Sequence, residues 1–562
     1  MPSFRKDYLT YDELTAVLKG WEKDHPDVCS LRSIGRSEQG REQWLLVIGP
    51  DPDVVRPTVW VDGNMHAVEL AGSSVALAIA EDAIRIFEGE TVHDLPAPVL
   101  EAIRRVRFFV LPRMSPDGAE AILEHAGTVR SVPRDWKTEQ HKPHWTHEDV
   151  DGDGLALLMR QRDPAGDFVE STEVPGLMLP RRIDDPGPYF RIYPEGKIEN
   201  FDGEHVPDPY YLSDNGPDLN RNFPWSWAPE DEQGGAGPYP GSVPESRNVL
   251  AFTSEHPEIF AWLNLHTFGG VFIRPLGHLP DSKMNEGDRS VFRQIEQWGT
   301  ELTGYPTVSG FEEFLYEPEK PLHGDLTDYA YHQRGCIAYV CELWDLFHRL
   351  GHERKKPFVD HYAHLSRTQL VALGKWAKEN APDVIVPWVA CEHPQLGAVE
   401  CGGIDGRYGI SNPPRHEIDG VCLAQSAMFL RVASLLPRLE LEDVEIEKLA
   451  DGVTEIRGAI RNVGYLASFG LWSAMKRHWN EPLVLEALGR NGATVTQERT
   501  ELGHLDGWGK GRFGGSANLF YMRSDGNATR RAFRIVARGT GLVVLRVGCS
   551  RVGWLERTLE VG

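Results

Sequence analysis

At 562 residues the chain exceeds what one hydrophobic core ordinarily supports, so two domains are expected. Its formal net charge of -24 argues against nucleic-acid binding, because phosphate contacts require clustered Lys and Arg. No apolar run approaches the roughly 18 residues of a membrane helix, and the N-terminus lacks the basic-then-apolar order of a secretory signal, so a cytoplasmic protein with no membrane partner is expected.

Along the chain, Thr10 and Glu13 form a capping box, and Leu14, Val17, Leu18 and Trp21 supply the apolar face of a first helix. Val59, Trp60 and Val61 read as the end of a buried strand, Asp62-Gly63-Asn64 as a tight connection, and Ala71 through Phe87 as an apolar helix. Between them, His66 and Glu69 place an imidazole and a carboxylate three residues apart on a rigid edge, a two-ligand metal platform. Catalytic zinc asks for three protein ligands and one open position. His266, which ends the short apolar run Trp262-Leu263-Asn264-Leu265 ahead of Gly269-Gly270, is the candidate for the third. On spacing alone His-x-x-Glu is a weak signal, since chance matches are common.

Further on, Asp149-Val150-Asp151-Gly152-Asp153-Gly154 repeats oxygen donors at alternate positions, as the start of a calcium loop does. Arg160 stands where the closing Glu of a complete loop would be. A calcium site on Asp149, Asp151 and Asp153, completed from elsewhere by a residue such as Asp163, therefore stands against a solvated acidic turn. Asn220 and Arg221 offer an amide and a planar guanidinium side by side, suited to bidentate recognition of a carboxylate. Glu342 ends the apolar strand Ile337-Ala338-Tyr339-Val340-Cys341, which would deliver its carboxylate to the sheet edge where ligands collect.

Taken in order, His66-x-x-Glu69, Asp218-Leu219-Asn220-Arg221-Asn222-Phe223, His266 and Tyr339-Val340-Cys341-Glu342-Leu343 resemble the motifs of the zinc carboxypeptidases, from about Tyr8 to Pro437. The resemblance implies an α/β fold with a mixed central sheet flanked by helices, and one zinc per chain on His66, Glu69 and His266. It also implies Glu342 as the general base and Asn220 with Arg221 as the anchor for a substrate's free C-terminal carboxylate. Arg130 follows Met114-Ser115-Pro116-Asp117-Gly118 at the spacing of the family's oxyanion arginine, with Arg134 the runner-up. The family's substrate-closing tyrosine is assigned to Tyr316 on the assumption of a small insertion before Pro321.

The sequence also departs from the family. Val68 stands where the best-studied secreted members carry an arginine, which removes a positive charge from the cleft and puts binding of longer substrates in doubt. Leu326 and Thr327 suit an apolar or small terminal residue, whereas a basic one would need Asp325 or Asp328 to point inward. Residues 131-217 are longer than the family core requires, polar, and rich in Pro and Gly, and are read as an insertion over the catalytic face within a catalytic domain spanning 1-437.

The seven cysteines include no metal spacing and read as mostly reduced. His393 to Gly397 is read as introducing a short strand, and Val421 to Leu436 as a helix ended by Pro437. Beyond it, alternation in Thr454, Ile456, Gly458 and Ile460, and the run Leu542-Val543-Val544-Leu545 between glycines, predict a small all-β sandwich over 441-562. The expected function is hydrolysis of the C-terminal bond of peptides. The alternatives are hydrolysis of a non-standard amide such as an N-acyl amino acid or cell-wall peptide, and a non-catalytic binding protein. Sequence leaves the oligomeric state open.

Overall fold

The computed structural model describes residues 3-134, 141-208, 216-317, 320-361, 365-509, 526 and 528-562. Thr10 and Glu13 close the capping box at the start of helix Tyr11–Asp24, whose Leu14 and Leu18 are buried. The central sheet has eight strands in the spatial order Cys29–Arg36, Glu42–Ile48, Arg107–Leu111, Thr58–Gly63, Ile259–Thr267, Ile337–Leu343, Val271–Arg274 and Thr307–Ser309. It is mixed. The inner strands Arg107–Leu111, Thr58–Gly63, Ile259–Thr267 and Ile337–Leu343 run parallel, and antiparallel pairings occur on either side of them. All residues of Thr58–Gly63 and Ile259–Thr267 are buried, as expected of parallel strands covered on both faces.

Helix Ala71–Phe87 occupies the predicted span and packs between this sheet and helix Ile418–Ala433. Two glycines permit that approach. A Cβ on Gly72 would lie 2.9 Å from both Asn64 N and Leu265 O, and one on Gly63 would lie 2.5 Å from the Gly72 carbonyl carbon. Helix and sheet edge therefore meet backbone to backbone, which brings the His66 loop against the end of the His266 strand. The strand is longer than its sequence suggested: Asp62 and Gly63 pair with Asn264 and Leu265, and the turn begins at Asn64, at a positive φ of 56.

The described part of the polar segment after Arg130 contains strands of its own. Its strands Leu158–Arg162, Phe168–Glu170, Met178–Pro180 and Phe190–Pro194 join Ile385–His393 and Gly397–Ile404 in one six-stranded sheet, and His144–His147 pairs with Gly196–Glu199 beside it. His393 to Gly397, expected to introduce a strand, is the turn between the last two of the six. Asp163, offered as a calcium ligand, instead pairs with Arg191 at 2.6 Å, a cation that comes within reach only once Phe190–Pro194 pairs with Leu158–Arg162. The remaining acidic loop is satisfied internally: Asp149 accepts from the N–H groups of Gly152 and Gly154, Asp151 from that of Asp153, and Asp153 from that of Leu155. Nothing here supports calcium over a plain acidic turn.

Residues after 438 form two four-stranded antiparallel sheets, with Ile456, Ile460, Leu485, Val543, Leu545 and Val547 buried between them. No helix among the described residues is long and apolar enough to cross a membrane. The β module is tied to the rest of the chain by polar contacts in both directions. Asp288 accepts from the backbone N–H groups of Trp472 and Ser473 at 2.7 and 3.0 Å. Arg551 is buried and donates to the carbonyls of Pro257, Arg334 and Gly335 at 2.9 to 3.3 Å. Burial pushes its guanidinium down to about 10.

Replacing Arg551 with Met keeps most of its volume but leaves those carbonyls without a donor. Leaving buried polar groups unpaired costs about 1-3 kcal/mol each, so Arg551→Met is expected to destabilise the fold by about 3 kcal/mol. Thermal unfolding checks this, and an unchanged midpoint contradicts it.

Candidate metal centre and cleft

His66 and Glu69 lie on the loop between strand Thr58–Gly63 and helix Ala71–Phe87, and His266 is the penultimate residue of the neighbouring strand. Asn64 ties the loop down by donating its side-chain amide to the carbonyls of His66 and Ala67 at 2.8 and 3.1 Å. The backbone N–H of Ala67 donates to the carbonyl of Arg130 at 2.8 Å, so the Arg130 segment is anchored to the same loop.

All three side chains are buried. His66 Nδ1 lies 2.8 Å from Glu69 Oε1 and 3.1 Å from His266 Nδ1, and His266 Nδ1 lies 2.9 Å from Glu69 Oε2. That last oxygen is buried and, among the described residues, has no hydrogen-bond partner. Two ring nitrogens facing each other and an orphaned carboxylate oxygen are costly to bury without a cation. Zinc bonds of about 2.0-2.2 Å in tetrahedral geometry set ligand atoms roughly 3.3 Å apart, close to the spacings found here. The donor set of two imidazoles and one carboxylate fits zinc.

Asp218 was not singled out from sequence, and it organises the site. Its Oδ1 accepts from His66 Nε2 at 3.1 Å and from the Asn220 N–H at 2.8 Å, and its Oδ2 accepts from Arg130 Nε at 2.9 Å. The only signal for it lay in its place two residues before Asn220. Although burial works against the charged form, Arg130 and His66 hold the Asp218 carboxyl well below the usual range. Burial and Arg130 push His66 down, but Glu69 and Asp218 outweigh them and the net shift is upward, whereas burial lowers His266. Arg130 is raised despite its burial, by Asp218 and Glu69, so its charge is permanent. Nε supplies the one side-chain hydrogen bond recorded for Arg130 among the described residues. Arg134 lies elsewhere, 3.8 Å from Glu38.

Glu342 stands beside His266 in the parallel register of the two strands. Desolvation, and then the charge of Glu69, raise its carboxyl well above the ordinary value, with Arg130 opposing. Asn220 Oδ1 accepts from the Leu326 N–H at 2.9 Å, which couples the Asn-Arg segment to the short turn at Leu326–Asp328. Arg221 Nη1 donates to the Asn220 carbonyl at 2.7 Å. Tyr316 is 55% exposed, and its phenol is among the groups that raise Arg130.

On the same turn, Asp328 accepts from the Gly277 N–H at 3.1 Å and pairs with His278 at 2.5 Å. Asp325 spends Oδ1 on the Asp328 N–H, while its Oδ2 and Thr327 Oγ1 are buried without a partner. Burial and the neighbouring Asp328 push the Asp325 carboxyl up to about 7. Among the described residues, three other groups bring potential metal ligands together: His278, Asp328 and His332; Asp151, Glu195 and Cys401; and Asp149, Asp151 and Asp153. Only the His66 group combines complete burial with the Glu342 and Arg130 neighbours described above.

The zinc carboxypeptidase family profile matches residues 14-350, and a domain of unknown function matches residues 438-560. The catalytic chain of mouse (Mus musculus) carboxypeptidase N is 33% identical over 113 residues, covering 20% of this chain and 24% of that protein. Carboxypeptidase B of Astacus astacus is 30% identical over 111 residues, 20% of this chain and 33% of that protein. The aligned segments thus span only a quarter to a third of these relatives. Among solved structures, carboxypeptidase A from Helicoverpa armigera aligns over 67% of this chain and 75% of its own at 18% identity, with a TM-score of 0.37. With its profile covering more than half of the sequence, the chain belongs to the zinc carboxypeptidase family.

Proposed function

We propose that this protein is a zinc-dependent metallocarboxypeptidase that hydrolyses the last amide bond of substrates carrying a free C-terminal carboxylate. The observation that carries this reading is the convergence of His66, Glu69 and His266 within 3.1 Å, with Glu342 next to His266 in register. Zinc held by these donors would supply Lewis acidity, lowering the pKa of a water toward about 7 and polarising the scissile carbonyl.

The chain's own residues then divide the work. Glu342, held in a desolvated position that raises its proton affinity, takes a proton from the attacking water and passes it to the leaving nitrogen. Arg130 presents a fixed positive charge to the developing oxyanion, and Asp218 sets its orientation while also holding His66. Arg221, with the Asn220 amide nitrogen, receives the terminal carboxylate, so that binding is converted into alignment of the bond to be cut. Tyr316, exposed and among the groups whose charge is felt at Arg130, would cover the occupied cleft. A cytoplasmic setting remains part of the proposal, resting on the sequence alone.

Replacing Glu342 with Gln removes the proton acceptor but none of the three proposed metal ligands. Turnover is expected to fall by roughly a hundredfold or more while zinc content is retained. Near-normal turnover by Glu342→Gln would remove the base assignment. For the anchor, a peptide and its C-terminally amidated counterpart are compared. The free acid is expected to be cleaved far faster, and Arg221→Ala to abolish the difference, mainly through KM. Equal cleavage of the two peptides by the unaltered protein would contradict the carboxylate anchor.

A further inference from the structure

Strands Thr58–Gly63 and Ile259–Thr267 align Trp60 with Trp262 and Asp62 with Asn264. Alternation along a strand puts all four side chains on one face, with His266 two residues further along the second strand. Asp62 is fully buried, and its carboxylate accepts every side-chain hydrogen bond recorded for it among the described residues. Its Oδ2 receives the indole N–H groups of Trp60 and Trp262 at 2.6 and 2.7 Å, and its Oδ1 receives the side-chain amide N–H of Asn264. Asn264 therefore has to turn Nδ2 toward Asp62, which leaves Oδ1 facing His266, and Oδ1 accepts from His266 Nε2. With the proton held on Nε2, Nδ1 presents a lone pair toward His66 Nδ1 and Glu69.

We propose that Asp62 is a positioning residue for the metal centre: it orients the Asn264 amide, and the amide fixes His266 in the tautomer whose Nδ1 can bind zinc. The inference rests on the reading of His66, Glu69 and His266 as zinc ligands and adds to it two residues that touch neither metal nor substrate. Outer groups of this kind fix the tautomer and ring orientation of a ligating histidine. His66 is held differently, by the charged Asp218, so the two imidazoles have separate supports.

The donor pattern makes a sharp test. In Asp62→Asn, an isosteric change, the two indole N–H groups hold the new amide's oxygen, so its nitrogen faces Asn264. The Asn264 amide must then flip, presenting N–H to His266 Nε2 and moving the ring proton to Nδ1. Zinc affinity of the full chain, measured by chelator competition, is expected to fall by about 10-100-fold. The exchanged pair Asp62→Asn with Asn264→Asp restores the pattern, because Asn at 62 donates to Asp at 264, whose second oxygen accepts from His266. The exchange is expected to recover most of the lost affinity, which a purely structural role for Asp62 would not give.

Wild-type affinity in a folded Asp62→Asn variant overturns the inference, as does an exchanged pair that binds no better than the single variant. Should Asp62→Asn not fold, Asn264→Leu removes the acceptor for His266 while leaving Asp62 and both indoles in place. It is expected to lose zinc affinity to the same degree, and wild-type affinity there likewise overturns the inference. A wild-type chain that takes up no zinc overturns the proposed function and this inference together. One that binds zinc with Asp62→Asn unaffected overturns only the inference.

Discussion

Burying a carboxylate against two imidazoles at a sheet edge is the constraint on which the rest of this structure depends. Glu69 and the two histidines lose water on every side, and their donor atoms face one another at about 3 Å with one carboxylate oxygen unpaired. Such a cluster is tolerable only if its outer atoms are pinned and its inner face receives a cation. The surrounding residues do the pinning. Asp218 holds one imidazole while pairing with Arg130, and Asn264 holds the other while bonded to Asp62. The glycine contact between Gly63 and Gly72 lets the loop carrying His66 reach the strand carrying His266 at all.

The same arrangement accounts for the electrostatics of the cleft. Desolvation, with the charge of Glu69 behind it, raises the proton affinity of Glu342, and Asp218 with Glu69 fixes the charge of Arg130. Glu342 and Arg130, proposed above as base and oxyanion partner, thus feel the charge of residues that also hold the histidines. The terminal-residue pocket is less settled by charge. Asp328 is spent on Gly277 and His278, while Asp325 Oδ2 and the Thr327 hydroxyl are each buried without a partner among the described residues.

Much of this was legible in the sequence because it depends on short-range pattern. The capping box at Thr10, the helix from Ala71 to Phe87 and the strand ending at Glu342 follow from periodicity and local hydrogen bonding. The convergence of His66 with His266 did not follow from spacing, since the two are far apart in the chain, and only the order of the motifs suggested it. Asp218 and Asp62 escaped notice for the same reason: an acidic residue reveals its role only through partners brought by other strands. The strands within the insertion were not foreseen because short polar strands carry a weak alternating signal, and the pairing of Asp163 was not because its cation, Arg191, approaches only when Phe190–Pro194 pairs with Leu158–Arg162. The β module was visible as alternation, but its attachment through Arg551 was not, since the carbonyls it meets carry no sequence signature.

The central claim is that three donors distant in sequence hold one metal ion between them. X-ray diffraction from zinc-loaded crystals, with anomalous data at the zinc edge, addresses it most directly. A single strong peak is expected within bonding distance of His66 Nδ1, His266 Nδ1 and the Glu69 carboxylate. A peak elsewhere, such as among His278, Asp328 and His332, with none between the two strands, would contradict it.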